Sequence, residues 1–177
     1  MNRIEKTNRL TKMAMLAAIS VALMLLLRIP FPPAPFLVYD PADVPILISS
    51  FAFGPMSGIL ITVVVSFIQA FALSGDGIIG FFMHVMATGS FVLVAGLMYK
   101  FNKTKKRAVA ALVAGSLAMS AIMVGWNIIV TPIYMGVPRE AVLAMILPVI
   151  LPFNLLKAAV NSVVIFLIYK PIGRFLK

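Results

Sequence analysis

The stretch VPILISSFAF, residues 44–53, decides how many times this chain turns back on itself. It is apolar and short, and the turn signal Gly54-Pro55 follows it directly. A helix that crosses the hydrocarbon core of a bilayer needs about 17 to 25 residues. The stretch is therefore either a connection between longer elements or a short helix that its neighbours shield, and the rest of the chain decides between the two.

The composition is that of a membrane protein. Hydrophobic residues make up 62% of the 177 residues and charged residues 11%, and the mean hydropathy is +1.09. This leaves too little polar surface to cover a water-soluble globule. The net charge of +10 does not indicate a nucleic-acid partner, because the basic residues lie at the two ends and in one loop instead of on one folded face. With no cysteine, the chain has no disulfide, thiolate metal site or cysteine nucleophile.

Basic clusters set the topology. Most of the 15 Lys and Arg residues fall within residues 3–12, 100–107 and 170–177, and short basic loops stay in the cytoplasm. The chain must therefore cross the membrane an even number of times between clusters. Five apolar stretches are long enough to cross, namely residues 10–27, 55–73, 78–99, 108–130 and 147–169. Three of them precede the middle cluster, so the missing crossing must be residues 44–53.

The sequence thus predicts an all-α fold with six transmembrane helices, the second one short, and with both termini in the cytoplasm. Residues 1–177 are expected to form one integral membrane domain in contact with lipid. The first outer loop, residues 29–43, carries five prolines and is expected to be stiff and extended. This topology also puts four of the five acidic residues in outer loops: Asp40, Asp43, Asp76 and Glu140.

Polar residues inside the spans are the best indications of function, because a polar group in hydrocarbon needs a partner. Lys157 shares a helix face with Asn154 and Asn161, although a lysine could also reach the headgroups. Asn127, Gln69 and His84 lie in three other spans, and interhelical hydrogen bonding or packing is the alternative for each. Asp40 and Asp43 are interpreted as capping the start of the short helix, because two carboxylates alone make a poor metal site.

This set of donors and acceptors contains no ion-pair relay, so it suits a neutral small molecule rich in hydroxyl or amide groups. An aromatic or apolar lining for a flat ring is available from Phe36, Tyr39, Phe67, Phe81, Phe82 and Trp126. Nucleotide-hydrolysis, metalloprotease and Ser/His/Asp motifs are absent from the sequence. A substrate-binding membrane subunit is therefore favoured, without catalytic residues, metal or cofactor. A membrane-embedded enzyme and a purely structural subunit remain the alternatives.

Three stretches carry a family resemblance: YDPADVP at residues 39–45, FAFGPMSG at 51–58 and LPFNLLK at 151–157. They resemble the riboflavin-binding S components of energy-coupling factor (ECF) vitamin transporters, and the likeness covers nearly the whole chain. It implies six helices with cytoplasmic termini in the plasma membrane of a prokaryote, capture of a vitamin from outside, and no ATP hydrolysis by the chain itself. It also implies as partners a transmembrane scaffold protein and two ATPase subunits.

The resemblance implies that Asn127, Asn154 and Lys157 hydrogen-bond riboflavin, which is the transported ligand and not a cofactor. Gln69, Tyr39 and His84 complete the expected substrate site. The family's partner-binding surface on the first helix uses small residues at helical spacing, which here are Ala14, Ala18 and Ala22. Val65 and Ser66 stand where related chains often have a Lys-Asn pair, and His84 stands where an Asn is expected. Flavin mononucleotide and another vitamin therefore remain open as ligands.

Overall fold

The computed structural model describes residues 3–73 and 75–176. Eight α-helices are assigned in this part of the chain: α1 Arg3–Leu26, α2 Asp43–Phe53, α3 Pro55–Ile68, α4 Gly77–Phe101, α5 Lys105–Ile129, α6 Thr131–Met135, α7 Arg139–Met145 and α8 Leu151–Leu176. A π-helical turn, Gln69–Leu73, continues α3, and another, Ile146–Ile150, joins α7 to α8. Five of these helical segments are long and apolar enough to cross a membrane. The predicted helical membrane fold is confirmed.

The short helix α2 lies antiparallel to α1 and inside the bundle. Ser20 of α1 donates to the carbonyl oxygen of Ala42 at 3.0 Å, just before α2 begins. Arg9, about three turns earlier in α1, donates to the carbonyl oxygen of Phe53 at 2.8 Å, where α2 ends. Residues 43–51 are all buried, including both serines. This is the short, shielded helix that the charge parity required, and it begins at the depth of Ser20 rather than at the outer end of α1.

Glycines permit the close packing of α2, α3 and α4. Gly54 has φ 100°, a conformation that side chains disfavour, and it separates α2 from α3. Gly58 of α3 lies against Val92 and Ser50, so that a Cβ added there would overlap both side chains. The three helices can therefore approach closely only with hydrogen as the side chain at this position.

We expect Gly58→Ala to destabilise the protein by about 1–3 kcal/mol, the usual range for overpacking a well-packed core. The Cβ of Ser50 would be 2.9 Å from the new methyl group and is fixed to the backbone of α2, so the helix itself would have to shift. Thermal unfolding in detergent measures the effect. Gly125→Ala in α5 is the matched control, because no atom lies within 4 Å of its added Cβ. Equal stability of the two variants would contradict the prediction.

The proline-rich first outer loop forms an antiparallel hairpin of β1, Ile29–Phe31, and β2, Ala34–Tyr39. Ile29 pairs with Tyr39 and Pro30 with Val38, and the register is irregular at Phe31. A separate hydrophobic cluster joins the hairpin to the outer ends of α7 and α8, and its buried members are Ala34, Leu37, Val142, Ile150 and Phe153. The hairpin is thus the predicted extended segment, and it packs as a roof on the outer end of the bundle.

Candidate functional site

A cavity of about 350 Å³ lies beneath this roof. It is enclosed by β2 and the segment after it, the π turn of α3, and helices α4, α5, α6 and α8. Its volume falls in the range of small-molecule sites, which are mostly apolar with a few polar groups that fix orientation. The polar and charged side chains on its wall are Arg28, Asp40, Gln69, Asp76, His84, Thr88, Asn127, Thr131, Tyr134, Asn154 and Lys157.

The ammonium group of Lys157 lies between two carboxylates. Its Nζ is 3.2 Å from Oδ2 of Asp40 and 3.9 Å from Oδ2 of Asp43. Lys157 is only 7% exposed, and both aspartates are more deeply buried. The alternative that Lys157 reaches the headgroups is therefore wrong for this structure. The ammonium also takes the position between the carboxylates that a metal cation would need.

Asp43 has further partners on two helices. Thr88 of α4 donates to its Oδ1 at 2.6 Å, and Asn161 of α8 donates to its Oδ2 at 3.1 Å. The hydroxyl of Tyr39 in turn donates to Oδ1 of Asn161 at 3.0 Å. Asp40 accepts a hydrogen bond from the backbone N–H of Ala42 at 3.2 Å. Lys157, the two aspartates and these partners form one buried polar network that joins the end of the hairpin to α4 and α8.

Two expectations about these aspartates are corrected. Asp43 is the first residue of α2, and the residue before it, Ala42, makes no side-chain cap, so Asp43 does not cap the helix as expected. Neither carboxylate belongs to a solvated outer loop, because the segment after β2 descends to the depth of Ser20 before α2 begins. The site was expected to contain no ion-pair relay, whereas the structure pairs Lys157 with Asp40 and Asp43. A charge at this depth needs a counter-ion, and Lys157 supplies it.

The two predicted asparagines both line the cavity. Asn127 of α5 donates from Nδ2 to the carbonyl oxygen of Met123 at 2.7 Å, and its Oδ1 accepts from Thr131 at 2.8 Å. Asn154 of α8 donates from Nδ2 to the carbonyl oxygen of Ile150 at 2.8 Å. Each bond uses one N–H of an amide that has two, so each asparagine keeps a donor for a ligand. The structure brings Asn127, Asn154 and Lys157 to the same chamber.

Of the other three predicted site residues, two line the cavity and one does not. Gln69 and His84 line the cavity, the first from the π turn and the second from α4. Tyr39 is not among the lining residues, because its hydroxyl is bonded to Asn161 behind Lys157. Tyr39 thus supports the polar network and does not line the chamber. Of the three departures from the family pattern, Val65 and Ser66 are buried in α3 outside the lining, whereas His84 lies on the cavity wall.

Two of the aromatic residues predicted to line a slot for a flat ring lie on the cavity wall, and three phenylalanines do not. Phe36 and Trp126 are on the cavity wall. Phe67, Phe81 and Phe82 instead contact one another on the outside of the bundle, where Phe67 is 58% exposed and Phe82 50%. Lipid is as apolar as a packed core, so hydropathy does not distinguish the two faces of such a helix. Met83, Met119, Met123 and Phe153 are among the other apolar residues of the wall.

Tyr134 and Asp76 join two outer segments at the cavity wall. The Tyr134 hydroxyl, on α6, donates to Oδ1 of Asp76 at 3.1 Å. Through this hydrogen bond and its negative charge, Asp76 raises the pKa of the Tyr134 phenol. Tyr134 therefore stays a neutral donor, and the contact ties α6 to the turn before α4. Neither residue was singled out as part of the site from the sequence.

The candidate partner surface on α1 is accessible. Ala14, Ala18 and Ala22 are all exposed, whereas Met13, Leu16, Ser20 and Met24 on the opposite face are buried in the bundle. The three alanines recur every fourth residue and so form a stripe of small side chains along one side of the helix. Such a stripe permits the close approach of another helix.

Comparison with known proteins agrees with this architecture. A family model described as "ECF transporter, substrate-specific component" matches residues 8–169. The chain is 33% identical over 181 residues to the riboflavin transporter RibU of Staphylococcus aureus (strain TCH60), which covers 98% of this chain and 95% of the relative. It is 30% identical over 175 residues to the riboflavin transporter FmnP of Bacillus subtilis (strain 168), which covers 93% and 91%.

A solved structure described as "Structure and mechanism of the S component of a bacterial ECF transporter" has the same fold. It matches with a TM-score of 0.83 and 31% sequence identity, over 97% of this chain and 99% of that one. The chain therefore belongs to the substrate-specific (S) components of ECF transporters, which are multi-pass bacterial membrane proteins that bind a vitamin and associate with an energising module, and it is not an enzyme.

Proposed function

We propose that this chain captures riboflavin from outside the cell and holds it in the cavity beneath the hairpin for import. The observation that carries the proposal is the chamber itself, in which Asn127, Asn154 and Lys157 converge between walls of methionine and aromatic side chains. Riboflavin combines a flat tricyclic ring with a chain of hydroxyls, and so needs an apolar slot with several convergent donors. The names of the two relatives as riboflavin transporters support this choice.

The polar residues have separate roles in this proposal. The remaining amide N–H groups of Asn127 and Asn154 donate to carbonyl or hydroxyl oxygens of the vitamin. Lys157 keeps further N–H donors beyond its bond to Asp40 and adds a charge-assisted hydrogen bond. Gln69 and His84 extend the polar wall from α3 and α4. Phe36 and Trp126 contact the ring from the roof and from α5.

Release and import need other subunits in this proposal. We expect a transmembrane scaffold protein and two ATPase subunits to supply the energy, with the exposed stripe Ala14, Ala18 and Ala22 as the docking surface on α1. The stripe lies on the face of α1 opposite its buried residues and thus outside the vitamin chamber. Vitamin binding and partner docking can therefore be tested separately.

Purified protein is expected to carry a yellow, flavin-absorbing ligand, or to bind riboflavin with quenching of flavin fluorescence. Asn154→Ala removes a donor from the chamber and is expected to weaken binding about tenfold, the effect of one hydrogen bond of about 1.4 kcal/mol. Asn102→Ala is the matched control, because Asn102 is exposed at the C-terminal end of α4, whereas α4 lines the chamber with residues near its N-terminal end. Colourless protein that does not respond to riboflavin would refute riboflavin as the ligand. Unchanged affinity in Asn154→Ala would refute a role of Asn154 in binding.

A further inference from the structure

The charge of Lys157 is balanced before any ligand enters. Its ammonium lies 3.2 Å from Asp40 and 3.9 Å from Asp43. Both aspartates are almost completely buried. An unpaired lysine on a cavity wall would attract a phosphate group. This one is held by two carboxylates, so any further anion close to it would be repelled by both of them.

The two carboxylates are built into the fold in their charged forms. Both oxygens of Asp43 accept hydrogen bonds, one from Thr88 and one from Asn161. Oδ1 of Asp40 accepts from Ala42 N–H while its Oδ2 accepts from Lys157. All four carboxylate oxygens thus serve as acceptors, which is what ionised carboxyl groups require. Their partners come from α4, α8 and the backbone, so the pair is fixed in position.

The chamber as a whole is formally negative, although the protein has a net charge of +10. Among the described residues its wall carries two cations, Arg28 and Lys157, and two carboxylates, Asp40 and Asp76. Asp43 adds a third carboxylate directly behind Lys157. With His84 neutral, the formal balance is one negative charge. The basic residues that make the protein cationic lie mostly at the cytoplasmic ends of the helices.

We propose that Asp40 and Asp43 are positioning residues for Lys157 and that this carboxylate pair makes the chamber select riboflavin over its phosphate ester. This inference rests on the proposed function, because it concerns the same site. The two ligands share the ring and the hydroxyl chain and differ in one phosphate group. The carboxylate pair holds the Lys157 ammonium toward the part that both ligands share, and it repels the phosphate group.

The physical cause is the weak screening of charges in a buried chamber. Like charges brought together at a binding surface repel each other, and a site that excludes water strengthens the repulsion. A phosphate ester carries up to two negative charges, and the single positive charge of Lys157 is already balanced by the two aspartates. Arg28, exposed at the rim, is the remaining cation on the wall.

The test compares the dissociation constants for riboflavin and flavin mononucleotide in the whole protein. We expect the wild type to bind the phosphate ester at least about tenfold more weakly, and Asp43→Asn to reduce this ratio by about tenfold. Asp40→Asn should change the ratio in the same direction. Arg28→Ala removes the rim cation and should increase the ratio.

The ratio of the two dissociation constants separates the effect of charge repulsion from the effect of positioning Lys157. Loss of positioning weakens both ligands alike, because both use the shared groups, so Thr88→Val should weaken both and leave the ratio unchanged. Equal affinity of the wild type for both flavins would overturn the inference without any variant, as would an unchanged ratio in both aspartate variants. If the wild type binds neither flavin, the proposed function fails and the inference fails with it. Riboflavin binding without discrimination refutes the inference alone.

Discussion

Lys157→Met is expected to lower the affinity for riboflavin by about ten- to a hundredfold, as the loss of a hydrogen bond from a charged donor commonly does. Methionine has nearly the length of lysine and is apolar, so the packing volume is kept. The variant removes the ammonium that faces the chamber and its bond to Asp40. Titration with riboflavin, followed by the quenching of flavin fluorescence, measures the loss.

The same variant should also destabilise the protein, by about 3–5 kcal/mol, because it leaves two buried carboxylates without their counter-ion. Thermal unfolding of the ligand-free protein in detergent measures this separately from binding. Adding Asp40→Asn to Lys157→Met should recover part of the stability, because one uncompensated charge is removed, but none of the affinity. A Lys157→Met protein of wild-type stability and affinity would contradict both the ion pair and the site.

The fold of this chain was predictable from charge and hydropathy because both act over whole segments. The basic clusters required an even number of crossings, and residues 44–53 were the one apolar stretch left to supply the sixth. Its burial on nearly all sides explains why so short a helix is stable in this environment. Asn127, Asn154 and Lys157 were singled out from the sequence because polar groups are rare in spans and need partners, and all three lie on the cavity wall.

The partners themselves were not predictable from local sequence. Asp40 lies 117 residues from Lys157, and no periodicity relates them. The contact depends on how far the segment after β2 descends between α1 and α8, which hydropathy does not report. One signal was available, since a lysine inside a span needs a counter-ion and the Asp40-Asp43 pair was the nearest apparent excess of acid in the predicted outer half. The three misplaced phenylalanines had no such signal, because lipid and core are equally apolar.

Ala18→Leu combined with Ala14→Leu is expected to reduce riboflavin uptake strongly while leaving riboflavin binding unchanged. Both alanines are exposed on α1, away from the chamber, so the larger side chains face lipid and should not disturb the fold. In a complex with the scaffold protein the same side chains would hold the two helices apart, because close helix packing in membranes depends on small residues. Uptake should fall at least about tenfold, the effect of about 1.4 kcal/mol in docking free energy.

The measurement is uptake of labelled riboflavin by cells that contain the energising module, together with titration of the purified variant. Ala121→Leu is the matched control, because Ala121 is an exposed alanine on α5 and is expected to tolerate leucine in both assays. Normal uptake by the α1 variant would show that the stripe is an ordinary lipid-facing surface. Loss of uptake together with loss of binding would place the damage in the fold, whereas loss of uptake alone would make α1 the surface through which this chain is energised.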